Sequence, residues 1–100
     1  MTIRHVVSWK LTAEDADVRR EQAHEVARRL NGLKAQITQI QSITAGANIA
    51  YPEANWDVTL VADFATLEAL EEYQVHPAHV EVAGFVRSVV ASRASVDFEI

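Results

Sequence analysis

The sequence predicts one small α+β domain in which helices cover one face of an antiparallel sheet. Three observations carry this prediction. Segments of strict two-residue alternation lie near both ends and in the middle of the chain, segments of helical periodicity lie between them, and turn residues mark the junctions. With 100 residues, the chain has the length of about one domain, and residues 1–100 are predicted to form a single one.

Strands and helices are predicted in the order β-α-β-β-α-β. Apolar and polar side chains alternate over Ile3 to Trp9, Trp56 to Phe64 and Ser95 to Ile100, which predicts three of the strands. A first helix is predicted after Thr12, its expected N-cap, because apolar residues then recur at three- and four-residue steps. It is expected to end at Asn31-Gly32, since glycine suits a left-handed C-terminal cap.

Two further segments are less regular. Residues 36–45 carry isoleucine at every third position but are rich in β-branched side chains, which predicts a bulged strand; a helix is the alternative. Thr66 is predicted to cap a short second helix. That helix should break at His76 because Pro77 has no N–H to donate, and Pro77 then suits the first position of a helix running to about Val89.

This order of elements is that of a ferredoxin-like protomer, with its helices on one face of a four-stranded sheet. Large apolar residues are predicted on both sheet faces: Val6 and Val61 on one, and Trp9, Trp56 and Phe64 on the other. Hydrophobic residues also make up 49% of the chain. The face without helices is therefore expected to pack against a second copy, which gives a homodimeric α/β barrel.

Composition excludes several classes of function. The net charge is −5 and basic residues form no dense cluster, so neither nucleic acid nor a membrane surface is an expected partner. The absence of cysteine excludes disulfides, thiolate catalysis and zinc–thiolate sites. No signal-peptide pattern and no apolar run of membrane-spanning length is visible, so a cytoplasmic protein is expected.

The residues most suited to chemistry lie at the predicted helix junction. Tyr73, His76 and His79 fall within seven positions, and His5 lies on the first strand. Histidine titrates near neutral pH and a tyrosine hydroxyl can polarise a carbonyl, so such a pair suits proton abstraction beside a carbonyl. Each residue also has a structural interpretation: His76 as a junction residue, Tyr73 as a half-buried aromatic, His79 as a surface histidine and His5 as a core residue.

Tyr73 and His79 are therefore the candidate catalytic residues. His5, His76 and Trp9 are expected to line a ligand-binding cavity. His76 and His79 with a carboxylate nearby are the one candidate metal site, but the sequence dictates no third ligand, so neither a metal nor a cofactor is expected.

Three segments carry a resemblance to a known family. They are Ile-Arg-His-Val-Val-Ser-Trp-Lys at the N-terminus, Leu-Glu-Ala-Leu-Glu-Glu-Tyr-Gln-Val-His-Pro-Ala-His at residues 67–79, and the closing alternating strand. Together they resemble the stress-responsive A/B barrel (Dabb) family over essentially the whole chain. The Tyr-x-x-His-Pro-x-His segment is the most specific of them. The resemblance implies a ferredoxin-like protomer that forms a tight dimeric barrel, in a family whose members mostly have no assigned reaction.

One plant branch of that family is a cofactor-independent polyketide cyclase. The resemblance to it implies that Tyr73 and His79 act on a linear polyketide, with His5 matching a first-strand histidine. Where that branch has a further pocket histidine on the third strand, this chain has Val58, so the resemblance implies that Val58 also lines the ligand-binding cavity. Binding of a small hydrophobic or carbonyl-containing ligand is the leading expectation. Cyclase-like or monooxygenase-like catalysis is one alternative and a purely structural stress or assembly protein is the other.

Overall fold

The computed structural model describes all 100 residues as a four-stranded antiparallel sheet with three α-helices. The strands are β1 (Ile3–Leu11), β2 (Ser42–Ala47), β3 (Val58–Phe64) and β4 (Val90–Glu99), and the helices are α1 (Ala16–Asn31), α2 (Leu67–Val75) and α3 (Pro77–Val89). The strand order is β2-β3-β1-β4, with every neighbouring pair antiparallel. This arrangement confirms the predicted ferredoxin-like α+β fold. None of its helices is both long and apolar enough to cross a membrane.

Strand β1 lies in the middle of the sheet, paired with β3 on one side and β4 on the other. Its side chains alternate strictly between buried and half-buried positions, because successive residues of a strand point to opposite faces. The buried row starts at Ile3, ends at Leu11 and joins one core with residues of the helices. Phe64 of β3 lies opposite Ile3 in that same buried layer.

The other sheet face carries a row of three valines across neighbouring strands. Val6 of β1 lies opposite Val61 of β3 and Val96 of β4, and Val96 is exposed. Trp56 does not extend the alternate face as predicted: it precedes β3 and is exposed, because the chain joins the sheet only at Val58. The helix-free face therefore presents this valine row, with Phe98 near it on β4.

The first helix starts later than predicted; it ends at Asn31, as predicted, but without the expected left-handed cap. Its N-cap is Asp15, whose carboxylate accepts hydrogen bonds from the N–H groups of Asp17 and Val18. Thr12 instead follows the end of β1, and its N–H donates to the carbonyl of Val89 at 2.9 Å. Gly32 has φ of −67° and continues into a 3₁₀ turn over Gly32–Ala35, so it is not a left-handed cap.

The strand predicted over residues 36–45 begins only at Ser42. Ile37 and Ile40 lie in turns that continue the 3₁₀ segment, and the Ile37 N–H donates to the carbonyl of Leu33 at 3.0 Å. The side chains of Leu33, Ile37 and Ile40 are buried in the core. The three-residue spacing thus reflects tight turns that return a side chain to the core at every third or fourth position, rather than a bulged strand.

Strand β4 is longer than predicted. It begins at Val90, directly after α3, whereas alternation is visible in the sequence only from Ser95. Nearly all of its side chains are exposed in the single protomer, so no buried-face pattern marks its first half. Its register against β1 also shifts between Lys10 and Leu11.

Truncation of Ile37 tests whether the turn segment fills the core. Ile37→Ala should lower the free energy of unfolding by about 2–5 kcal/mol, since the side chain is only 1% exposed and its loss leaves a cavity. Ile49→Ala is the matched control, because Ile49 is 94% exposed, and its effect should stay within about 0.5 kcal/mol. Urea denaturation of both variants measures the difference; equal midpoints would contradict the packing of Ile37.

Candidate ligand-binding site

The site begins with the break between α2 and α3. α2 ends at Val75 and α3 begins at Pro77, with His76 between them in an extended conformation. Proline suits a first helical turn because its missing N–H would have no intrahelical acceptor there. The Nδ1 atom of His76 accepts a hydrogen bond from the Ala78 N–H at 3.0 Å and so caps α3. The prediction that Pro77 opens the last helix is confirmed.

This break brings Tyr73, in the last turn of α2, against His79, in the first turn of α3. Their ring centroids are 4.4 Å apart, with the planes inclined at 53°. The Nδ1–H of His79 donates to the carbonyl of Gln74 at 3.0 Å. In the neutral ring this bond leaves the lone pair on Nε2, which has no hydrogen-bond partner within the chain.

Tyr73 is completely buried, and its hydroxyl has no hydrogen-bond partner within the chain. Its ring packs against Phe64 at 4.8 Å between centroids and against His5 at 6.3 Å. Burial raises the pKa of Tyr73 to about 12, so the group is a phenol, and hence a donor, at neutral pH. A buried donor without an acceptor is unfavourable by about 1–3 kcal/mol.

His5 lies in the buried row of β1, and β4 supplies its polar neighbour. Asp97 is its cross-strand pair, and the carboxylate of Asp97 forms a hydrogen bond with Nδ1 of His5. The bond fixes the orientation of the imidazole and satisfies a polar group that would otherwise be unfavourable in the core. It leaves Nε2 of His5 without a partner in the chain.

A cavity of about 330 Å³ lies between the sheet and the helices beside these groups. Its size falls within the usual range of small-molecule sites, about 300–1,000 Å³. Twelve residues line it: His5, Val7, Trp9, Leu30, Leu60, Tyr73, Gln74, His79, Ala83, Val86, Arg87 and Arg93. The structure therefore brings His5, Trp9, Tyr73 and His79 around one cavity.

The other two residues expected at the site do not line this cavity. His76 lies outside it because its ring nitrogen caps α3. Val58 is buried at the start of β3 and borders a different depression, beside Asn48 and Trp56. Nowhere in the chain do three or more histidine or carboxylate side chains come together in a way that could hold a metal ion.

The cavity also contains two arginines that the sequence analysis missed. Arg87 lies on the same helix as His79, and Arg93 lies on β4 opposite Trp9. The one sequence signal for Arg87 was its spacing from His79, which places both residues on the same side of the predicted helix. Arg93 had none, because the first half of β4 was not predicted.

Burial lowers the pKa of His79 from its ordinary value of 6.5, and electrostatic interactions with His5, Arg93 and Arg87 lower it further. The hydrogen bond to Gln74 acts in the opposite direction without reversing the shift. His79 is thus a neutral base at pH 7.

The pKa of His79 should therefore be measurably below 6.5, as observed by an NMR pH titration of its ring resonances. Replacing both arginines with glutamine should raise that pKa, because two positive charges near the imidazolium are removed. Arg20→Gln is the control, since Arg20 lies on α1 and does not line this cavity. A wild-type pKa at or above 6.5 would contradict the described environment.

Several solved structures share this fold. A dimeric protein of unknown function from Bacteroides fragilis is 27% identical, with a TM-score of 0.89 over 99% of this chain and 96% of the other. A dimeric ferredoxin-like protein of unknown function from Thermobifida fusca is 26% identical, with a TM-score of 0.84 over 100% and 92%. A hydroxynitrile lyase from Passiflora edulis is 11% identical, with a TM-score of 0.79 over 99% and 93%, and this likeness shows the fold alone.

No protein of curated function matches the chain. The family comparison is decisive, because residues 3–100 match the stress responsive A/B barrel domain. That match covers the sheet, the three helices and the whole cavity wall. The chain belongs to the stress-responsive A/B barrel (Dabb) family.

Proposed function

We propose that this protein binds a small carbonyl-containing molecule in its cavity and transfers a proton at the carbon next to the carbonyl. One observation carries the proposal: a neutral histidine with a free Nε2 lies against a buried tyrosine whose hydroxyl has no partner, and both line a cavity of ligand size. A base beside a hydrogen-bond donor is the arrangement that enolate formation requires.

Tyr73 is the donor in this proposal. Its hydroxyl would donate to the carbonyl oxygen of the ligand and stabilise the negative charge that develops there. The hydroxyl has almost no accessible surface, so a ligand oxygen reaches it only when lining side chains shift. The new bond would remove the unfavourable unpaired donor, and at this buried position it would be stronger than in water.

His79 is the base. The C–H bond next to the carbonyl breaks, its proton goes to Nε2, and its electron pair moves onto the carbonyl oxygen to form an enolate. The hydrogen bond from Nδ1 to Gln74 fixes the tautomer that leaves Nε2 free to accept the proton. The step requires no oxidant or reductant.

The resemblance to the polyketide-cyclase branch supports the same pair of residues. An aldol closure begins with an enolate, which then attacks a second carbonyl of the same chain. Tyr73, His79 and His5 match that branch, whereas Val58 departs from it. The hydroxynitrile lyase of like fold adds only that this architecture can support an enzyme.

Exchange of the methyl protons of acetophenone for deuterium tests the proposal, because this exchange requires proton removal beside a carbonyl. In D₂O, wild-type protein should accelerate the loss of the methyl signal in the NMR spectrum. His79→Ala and Tyr73→Phe should each reduce the enzyme-catalysed rate by about 100-fold. His24→Ala should exchange like wild type, since His24 is exposed on α1.

Circular dichroism of the same variants shows whether they remain folded. No acceleration by the wild-type protein would overturn the proposed proton transfer. So would an unchanged rate in folded His79→Ala.

We also propose that the chain is a homodimer joined through its helix-free sheet face. The valine row of Val6, Val61 and Val96 lies there, with Phe98 near it, and no helix of the same chain covers them. Apolar residues in such a row favour sheet-to-sheet packing, which excludes water from both faces. Two relatives above 25% identity are described as dimeric, which supports the same assembly.

Light scattering should then give a mass about twice the 11.1 kDa of one chain at micromolar concentration. Val96→Asp should shift the protein towards monomer, because it places a charge in the apolar contact. Val80→Asp is the matched control, since Val80 is exposed on α3. A dimer that tolerates Val96→Asp as well as Val80→Asp would contradict the proposed interface.

A further inference from the structure

We infer that the cavity takes keto acids: Arg87 and Arg93 bind a carboxylate while the carbonyl of the same molecule lies at Tyr73 and His79. This inference rests on the proposed function and names its class of substrate. It follows from the distribution of charge around the cavity, which differs from that of the whole chain.

The protein is acidic, yet its cavity is basic. The chain has 14 acidic and 9 basic residues, but none of the twelve that line the cavity is acidic and two are arginines. The carboxylate of Asp97 forms a hydrogen bond with His5, and Asp97 does not line the cavity. Such a cavity attracts anions and disfavours cations.

Both arginines have N–H donors that form no hydrogen bond within the chain. Neither arginine takes part in any of the five ion pairs in the chain. The Arg87 side chain forms no hydrogen bond within the chain, and the Arg93 side chain forms one, to the Ser95 hydroxyl at 3.1 Å. Arg28 and Arg29 of α1, in contrast, share the carboxylate of Glu25. A free guanidinium presents a planar pair of donors that matches a carboxylate.

The positions of these groups fit a molecule with two polar ends. Arg87 lies eight residues after His79 on α3, about 12 Å along the helix axis, and Arg93 approaches from the sheet. Both arginines are close enough to lower the pKa of His79. Apolar side chains form the remaining wall and suit a hydrocarbon or aromatic body between the two ends; they are Val7, Trp9, Leu30, Leu60, Ala83 and Val86.

A bound carboxylate would also improve the base. Arg87 and Arg93 disfavour the imidazolium form of His79. A carboxylate between them offsets their charge, so proton transfer to His79 becomes more favourable when the substrate is in place.

A pair of aromatic ketones tests this inference on the full-length protein. 4-Acetylbenzoate carries a carboxylate, and 4-acetylbenzamide is its neutral analogue of similar shape. Ligand-observed NMR titrations at low salt should show that wild type binds the acid about tenfold more tightly than the amide. The double variant Arg87→Gln, Arg93→Gln should lose this preference, whereas Arg20→Gln should keep it.

Deuterium exchange of the acetyl methyl group in the same samples separates the two proposals. If wild type binds both probes equally tightly and exchanges the methyl protons of both, the keto-acid inference is overturned and the proposed proton transfer stands. The role of Arg87 and Arg93 would be overturned if the double variant still preferred the acid. It would also be overturned if Arg20→Gln removed the preference as well. Binding of neither probe would also overturn the keto-acid inference.

Discussion

The fold and the candidate site both depend on the buried row of β1. This strand pairs with neighbours on both sides, so its alternate side chains form the floor on which the helices pack. Two members of that row, Val7 and Trp9, are core residues that also line the cavity. A third, His5, is polar and is stable there because Asp97 lies opposite it on β4. The row therefore sets the core and the polar floor of the site together.

The upper wall of the site follows from a backbone constraint. Pro77 ends one helix and begins another, and the resulting change of direction sets Tyr73 against His79 at 4.4 Å. His76 stabilises the break by capping α3, which leaves the other two side chains to face the cavity. The unpaired hydroxyl of Tyr73 is the one locally unfavourable feature of this wall. Such local conflicts are typical of functional sites, where binding rather than folding completes the hydrogen bonding.

Local patterns predicted most of the fold, and long-range register accounts for what they missed. Alternation over Ile3 to Trp9 and the break at Pro77 are properties of neighbouring residues, so the sequence alone revealed them. The turns around Ile37 were missed because their burial depends on packing against elements far along the chain. The first half of β4 was missed because its side chains are exposed and leave no buried-face pattern in the sequence. The pairings of Asp97 with His5 and of Arg93 with Trp9 likewise required the register of β1 against β4. Because these pairings were not predicted, the positive charge of the cavity was not predicted either.

In the proposed function, Tyr73 and His79 hold a carbonyl group inside the cavity. A crystal structure of the protein with 4-acetylbenzoate tests it most directly. We expect the ketone oxygen within about 3 Å of the Tyr73 hydroxyl, with the methyl carbon beside Nε2 of His79 and the carboxylate at Arg87 and Arg93. A complex in which the molecule lies outside the cavity, with the Tyr73 hydroxyl still unpaired, would contradict it.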